Sequence, residues 1–334
     1  MIFTRRLGAT IATLALILLA VPATAALEIR APGPAAAGPA DAPVLFWVWA
    51  AFIGLCVGSF LNVVIHRLPI MMQRQETRWA ADVVAEQKAL AAGEEWMPNC
   101  SSTDPADEEA AYNLMVPRSA CPGCGHAITA VENIPVLSWL ALRGRCRGCS
   151  APISMRYPLV ESATCLLTLA AVAGFGFTTM GAYAVVLTWA LVAATMIDID
   201  HQLLPDAIVM PLLWLGLFAN LDGTFVPLDQ AVIGAIVGYG SLWSIYWGFK
   251  LVTGKEGMGY GDFKLMGAMG AWLGWAALPS LVLLASLTGI IVALVMMATS
   301  RLERGAPMPF GPFIAAAGWL ALMLPTANIG VPGY

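Results

Sequence analysis

Apolar residues in this chain come in unbroken runs of about twenty, long enough to cross a bilayer and lacking the polar face that a helix of a water-soluble domain shows at every turn. The runs fall near 44–65, 159–177, 181–198, 206–221, 228–250, 262–278, 280–299 and 310–327. They predict an all-α polytopic membrane protein of about eight transmembrane helices. Upstream, Arg5 and Arg6 precede an apolar run from Leu7 to Val21 and the small residues Ala23 to Ala26. That order reads as a cleavable secretory signal over 1–26, or as an extra N-terminal span, followed by a Pro/Ala/Gly-rich periplasmic linker over 27–43.

Composition agrees with the pattern, at 59% hydrophobic and 11% charged residues. Charge then orients it. The stretch 66–158 holds nine of the 17 Lys and Arg residues, 250–264 holds Lys250, Lys255 and Lys264, and 300–309 holds Arg301 and Arg304. The intervening connections at 178–180, 222–227 and 279 hold none. Positive residues gather on the cytoplasmic side. The organisation expected is a first span at 44–65, a cytoplasmic domain at 66–158, a seven-span membrane domain at 159–327 and a periplasmic tail at 328–334. A net charge of −4 with dispersed cations excludes a nucleic-acid partner, which would need clustered Lys and Arg.

Within the polar stretch, Gln75 to Ala92 has helix-like composition and leads into a loop rich in Ser, Asp and Pro. Beyond it, Cys121-Pro-Gly-Cys124 and Cys146-Arg-Gly-Cys149 repeat one motif at an offset of 25 residues, each with an Ile four residues after its second Cys (Ile128 and Ile153). Two such knuckles make a four-thiolate site of the structural zinc type. The spacing of 21 residues between the pairs is slightly beyond the usual ribbon range. Gly123 and Gly148 stand where a tight turn is expected. Disulfides are disfavoured by the reducing cytosol that the charge pattern assigns to these thiols. Cys56, Cys100 and Cys165 read as ordinary residues.

Acidic residues sit at two span ends on that same side. One cluster is Asp198-Ile-Asp200-His-Gln-Leu-Leu-Pro205-Asp206, and the other is Gly257-Met-Gly259-Tyr-Gly261-Asp262. A carboxylate at the membrane boundary costs roughly 2.5 to 3.5 kcal/mol unless paired, so two at one depth invite a functional reason. Peptide hydrolysis by two carboxylates sharing a proton is the chemistry that needs such a pair. Asp198 and Asp262 are the candidates, with Asp262, opening a helix, the expected base. The glycines at 257, 259 and 261 suit close approach of an extended substrate backbone, and a helix cap at Asp262 is the plainer role. Asp200, Asp206 and His201 are expected to face the aqueous loop.

At this point the chain resembles the type IV prepilin peptidases, also called leader peptidase/N-methyltransferases, over nearly all of residues 44–327. The resemblance lies in Gly58-Ser-Phe-Leu-Asn-Val-Val-Ile-His-Arg-Leu-Pro69, the two cysteine pairs, Glu132-Asn-Ile-Pro-Val-Leu-Ser-Trp139 and Arg156-Tyr-Pro-Leu-Val-Glu161. It continues in the Asp198–Asp206 stretch, Gly254-Lys-Glu-Gly-Met-Gly-Tyr-Gly-Asp-Phe-Lys264 and Pro309-Phe-Gly-Pro312. It implies a bacterial inner-membrane enzyme that cleaves type IV prepilins and pseudopilins at the cytoplasmic face, after a glycine, with Asp198 and Asp262 catalytic. It further implies N-methylation of the new N-terminal residue from S-adenosylmethionine.

No cofactor fingerprint is legible for that second activity, and Glu132, Arg143, Gly144, Arg156 and Glu161 stand as candidates for its site or for loop folding. Gly259, Gly261 and Lys264 are candidates for substrate placement. Lys264 could pair with an acid near the start of the pilin helix or serve as an interfacial anchor. A peptidase without methyl transfer, and a transporter using paired carboxylates near mid-bilayer, are the alternatives.

Overall fold

The computed structural model describes residues 43–92, 112–255, 257–299 and 308–324. The expected signal segment, most of the linker, Cys100, Arg301, Arg304 and the tail lie outside the described residues. Within them the chain is all-α, and its extended pairing consists of two isolated antiparallel bridges, Ala120 with Ala127 and Arg145 with Pro152. The helices are α1 (Val44–Ala92), α2 (Leu137–Ala141), α3 (Arg156–Phe175), α4 (Thr179–His201), α5 (Asp206–Ala219), α6 (Leu228–Thr253), α7 (Tyr260–Leu273), α8 (Leu278–Ala298) and α9 (Gly311–Met323).

Five of these, α1, α3, α4, α6 and α8 with the turn before it, are long and apolar enough to cross a membrane. This corrects the expectation of about eight full spans. Helices α5 and α7 have 14 residues and α9 has 13. At ~1.5 Å per residue they reach about 20 Å, short of a hydrocarbon core of about 30 Å. Their ends have local causes. Pro205 caps α5, and α7 stops at Gly274, whose φ of 76° ends the helical ladder. The apolar runs overshot because hydropathy continues through such breaks.

The first helix departs in the other direction. It runs unbroken for 49 residues, about 73 Å, through Pro69 and well past the expected boundary at 65. Its buried residues Ala50, Gly54, Gly58, Leu61 and Ile65 form one stripe, which lies against α3. Gly54 and Gly58 let the backbones approach: a Cβ on Gly58 would stand 2.7 Å from the Cα of Glu161. Beyond the stripe, Arg67 donates to the carbonyl of Asn113 at 2.8 Å and its guanidinium lies over the Tyr112 ring, docking the return of the chain.

The core is built around α7. From Phe263 to Trp272 every residue except Lys264 is buried, with α5, α6 and α9 packed about it. Small residues set the closest approach, as expected where lipid offers helices no hydrophobic reward for associating. A Cβ on Gly270 would lie 2.0 Å from the carbonyl oxygen of Gly234 on α6, so the two backbones touch. Trp272 fills the notch of Gly216 on α5 and donates to the Leu212 carbonyl at 2.9 Å. Trp319 on α9 donates to the Thr188 hydroxyl of α4 at 3.0 Å, closing the bundle.

Replacing Gly270 with Ala forces that backbone contact apart and should cost roughly 3 kcal/mol of stability. Gly240, where an added Cβ meets nothing within 4 Å, should accept Ala with a change of at most roughly 1 kcal/mol, in the stabilising direction. Thermal unfolding of the detergent-solubilised protein compares the two.

Candidate active site and four-cysteine cluster

Two helix ends converge on one point. Helix α4 closes at Gln202, which takes a left-handed conformation (φ 53°) and donates its N–H to the Asp198 carbonyl at 2.8 Å. Asp198 therefore stands on the last turn. Helix α7 opens after Gly259, so Asp262 is its third residue, and the Asp262 backbone N–H donates to the Gly259 carbonyl at 3.2 Å. That is the position from which an acid reaches back to cap a helix start. The cap position itself is Gly259.

The two carboxylates are buried, 5% and 7% exposed, and lie within electrostatic range of each other. Leu204 joins their surroundings. Its side chain packs against Gly261, where a Cβ would fall 2.8 Å away, and against Gly311, where one would fall 3.1 Å away. Gly311 opens α9 and donates its N–H to Asp198 Oδ2 at 3.0 Å. A Cβ on Gly311 would stand 2.6 Å from that oxygen, so only glycine lets the α9 backbone come this close. In the sequence, Pro309–Pro312 stands out only as part of the resemblance. A glycine before proline at a helix start was the one available sign of a backbone donor.

The remaining acids near the site are spoken for. Lys264 Nζ donates to both Asp206 oxygens at 2.7 Å, tying α7 to the start of α5. Arg156 forks onto Asp200, with Nη1 to Oδ1 at 2.7 Å and Nη2 to Oδ2. Asp206 and His201 are exposed, whereas Asp200 is largely covered by Arg156 instead of facing an open loop. Of the proposed substrate glycines, the missing side chain of Gly261 is accounted for by Leu204. That of Gly259 has no neighbour nearer than the Asp262 carboxylate, at 3.8 Å.

Three of the other methyl-site candidates have structural partners, and Arg143 is placed by its left-handed backbone, φ 52°. Glu161, on α3, is buried and accepts from the backbone N–H of Val136 at 2.7 Å. Gly144 (φ 67°) lies under the Trp139 ring. Glu132 accepts from the backbone N–H and hydroxyl of Thr129 at 2.9 and 2.8 Å and meets His126 at 3.3 Å. Those donors, the Thr129 N–H foremost, hold its carboxyl down at about 2.

The four cysteines come together. The Sγ atoms of Cys121, Cys124, Cys146 and Cys149 lie within 4.8 Å of one another, with Cys121 to Cys149 at 3.8 Å and Cys124 to Cys146 at 4.0 Å. A metal with bonds of ~2.3 Å to four tetrahedral sulfurs spaces them about 3.8 Å apart, so the cluster fits such an ion. The 25-residue repeat is also a structural repeat. Gly125 and Ser150 donate to the carbonyls of Cys121 and Cys146, each at 2.9 Å, and the two bridges fall at matching positions. The left-handed residues are Gly125 and Ser150, at φ 71° and 57°. Gly123 and Gly148 lie within the turns at 122–124 and 147–149, as expected, while the left-handed backbone falls two residues later; Gly148 is needed for space, with His126 and Cys124 Sγ within 3.3 Å of a Cβ there. Backbone donors, Gly123 first, pull the Cys121 thiol down to about 7, while, against the backbone donor of His126, contacts with Cys149 and the other cysteines push Cys124 up to about 12, as expected where thiols are crowded together.

Comparison with known proteins adds to this geometry. The model of the Bacterial Peptidase A24 N-terminal domain matches residues 52–175, and that of the Type IV leader peptidase family matches residues 185–294. A prepilin leader peptidase/N-methyltransferase of Stutzerimonas stutzeri is 53% identical over 284 residues, 85% of this chain and 92% of the relative. One from Pseudomonas aeruginosa is 52% identical over the same shares, and one from Burkholderia pseudomallei 50% identical over 89% of this chain and 91% of its own length. No solved structure matches the chain.

The cluster yields a direct expectation. After treatment with a strong chelator, added Co²⁺ should produce the thiolate charge-transfer and tetrahedral d–d absorption of one four-sulfur site per chain. Cys146→Ser should lose most of that absorption, and Cys165→Ser should keep it.

Proposed function

The chain belongs to the type IV leader peptidase family, and on that premise we propose that it cleaves the leader peptide of type IV prepilins and pseudopilins with Asp198 and Asp262 as the catalytic pair. The observation that supports this reading is the presence of two buried carboxylates, one on the last turn of α4 and one on the first turn of α7, near enough to repel each other and beside a glycine with open space. One carboxylate, ionised, takes a proton from the attacking water. The other, protonated, donates to the scissile carbonyl oxygen as the tetrahedral intermediate forms. Asp198 accepts the backbone N–H of Gly311. The pair acts as one titrating unit. The open side of Gly259 suits an extended substrate backbone. For Lys264 to bind a substrate acid, it would have to exchange Asp206 for it.

The enzyme then N-methylates the new N-terminus. This second activity rests on the names of the relatives, and S-adenosylmethionine as donor on family resemblance; no residue is assigned to the donor. The ion fitting the four thiolates is zinc in a structural role, since all four positions are filled by protein and none remains for water. The location is the bacterial inner membrane with the dyad toward the cytoplasm. Support comes from the cysteine-bearing domain, Lys264 and Arg156, cations and a thiol cluster that all lie at the dyad's end of the bundle. Helices α5, α7 and α9 complete eight passes as short helices, a mismatch of about 10 Å absorbed by bilayer thinning and flanking loops.

Asp198→Asn and Asp262→Asn should each lower prepilin cleavage by at least roughly 1,000-fold with little change in thermal midpoint, since one member of a shared-proton pair cannot do both tasks. Mass spectrometry of a prepilin incubated with the purified variants measures it, and cleavage persisting in either removes that Asp from the pair. Gly311→Ala, which pushes on Asp198 Oδ2, should lose cleavage by roughly 10- to 100-fold. With labelled S-adenosylmethionine, the same assay on the unaltered protein should show label on the new N-terminal residue.

A further inference from the structure

Asp198 occupies the last turn of α4, where a helix has run out of its own hydrogen bonds and holds its geometry least firmly. The Gly311 N–H fixes this turn from one side. Asp200, two residues on and about 200° around the helix axis, points the opposite way. There it meets Arg156, whose guanidinium grips both its oxygens. Paired forks of this kind fix orientation as well as distance. The Asp200 side chain is only 15% exposed, so removing Arg156 would leave a largely covered charge without its partner.

Arg156 is itself firmly held. It opens α3, and the chain just before it is pinned to the cysteine-bearing domain. Ile153 donates to the Gly144 carbonyl at 2.7 Å and accepts from the Trp139 indole at 3.2 Å, while Cys146 donates to the Ala151 carbonyl at 2.8 Å. One turn along α3, Val160 shares an apolar cluster with Ile197, the residue before Asp198. The start of α3 is therefore joined to the last turn of α4 by that cluster and by an ionic fork.

We infer that Arg156 is a positioning residue for the peptidase reaction: through Asp200 it sets the rotation of the terminal turn that carries Asp198, and it ties that turn to the cysteine-bearing domain. The inference rests on the proposed role of Asp198. It also gives Arg156 a task distinct from methyl transfer.

The test is a double-substitution cycle on the full-length protein, with Arg156→Ala, Asp200→Ala and both together, assayed for prepilin cleavage across substrate concentrations. Each single change should lower kcat by roughly 10- to 100-fold and leave KM within about twofold, because the dyad is displaced while the substrate contacts stay. The double variant should lose no more than the worse single one, since all three remove the same bond. Arg156→Lys, which keeps the charge and the fold but loses the fork, should fall between wild type and Arg156→Ala. Wild-type kcat in the single variants overturns the inference, as do losses that multiply in the double variant or that appear in KM. If Arg156→Ala does not fold, Arg156→Lys with wild-type kcat overturns it equally. Failure of the peptidase reading itself would show separately, as an unaltered protein that leaves the prepilin uncut.

Discussion

Everything in the membrane part of this protein depends on the enclosure of one short helix. Helix α7 carries Asp262 at its start, and a buried carboxylate is tolerable only where surrounding backbone and side chains exclude lipid and supply partners. Enclosure is achieved through contact between main chains. Gly234 and Gly238 of α6 lie against Gly270, Met266 and Gly267 of α7, closer than any side chain would allow. Dispersion over such a seam replaces the hydrophobic drive that lipid does not provide.

The same economy of small residues brings the second carboxylate into place. Asp198 sits at the end of α4, and the α9 backbone reaches it because Gly311 has no side chain. Leu204, in the loop after α4, wedges between Gly261 and Gly311 and so holds together the beginnings of α7 and α9 and the end of α4. The two carboxylates sit at a junction of three helix termini, where unpaired N–H groups are naturally available to them. Around it, the ion pairs Arg156–Asp200 and Lys264–Asp206 consume the neighbouring charges and leave the two central acids distinct.

The cysteine-bearing domain joins this junction at two points. Arg156 leads out of it toward Asp200, and Val136 gives its N–H to the buried Glu161 while holding a φ of 59° that a β-branched residue rarely adopts. With a metal bound, four cysteines gathered at ligand spacing would give the small domain a rigidity that its few apolar residues would not. A domain anchored in this way can hold Arg156 steady.

Much was legible in the chain itself. Unbroken apolar runs determined where the membrane helices lie, because lipid admits only helices whose backbone bonds are closed within the segment. The duplicated cysteine motif determined a four-thiolate cluster, since its ligand spacing is local. Acids at the ends of apolar runs marked Asp198 and Asp262 as unusual, because polar groups at that depth are costly. Tertiary structure alone decided the rest. Hydropathy does not reveal that α5, α7 and α9 stop short, that α1 continues for 49 residues, or that Lys264 turns to Asp206. Nor does it reveal the bond from Gly311 to Asp198 across 113 positions, or the fork from Arg156 to Asp200 across 44. Periodicity and composition report each segment's own preference for lipid or water; which backbone donor or ion partner arrives from a distant segment is set by how closely the helices pack.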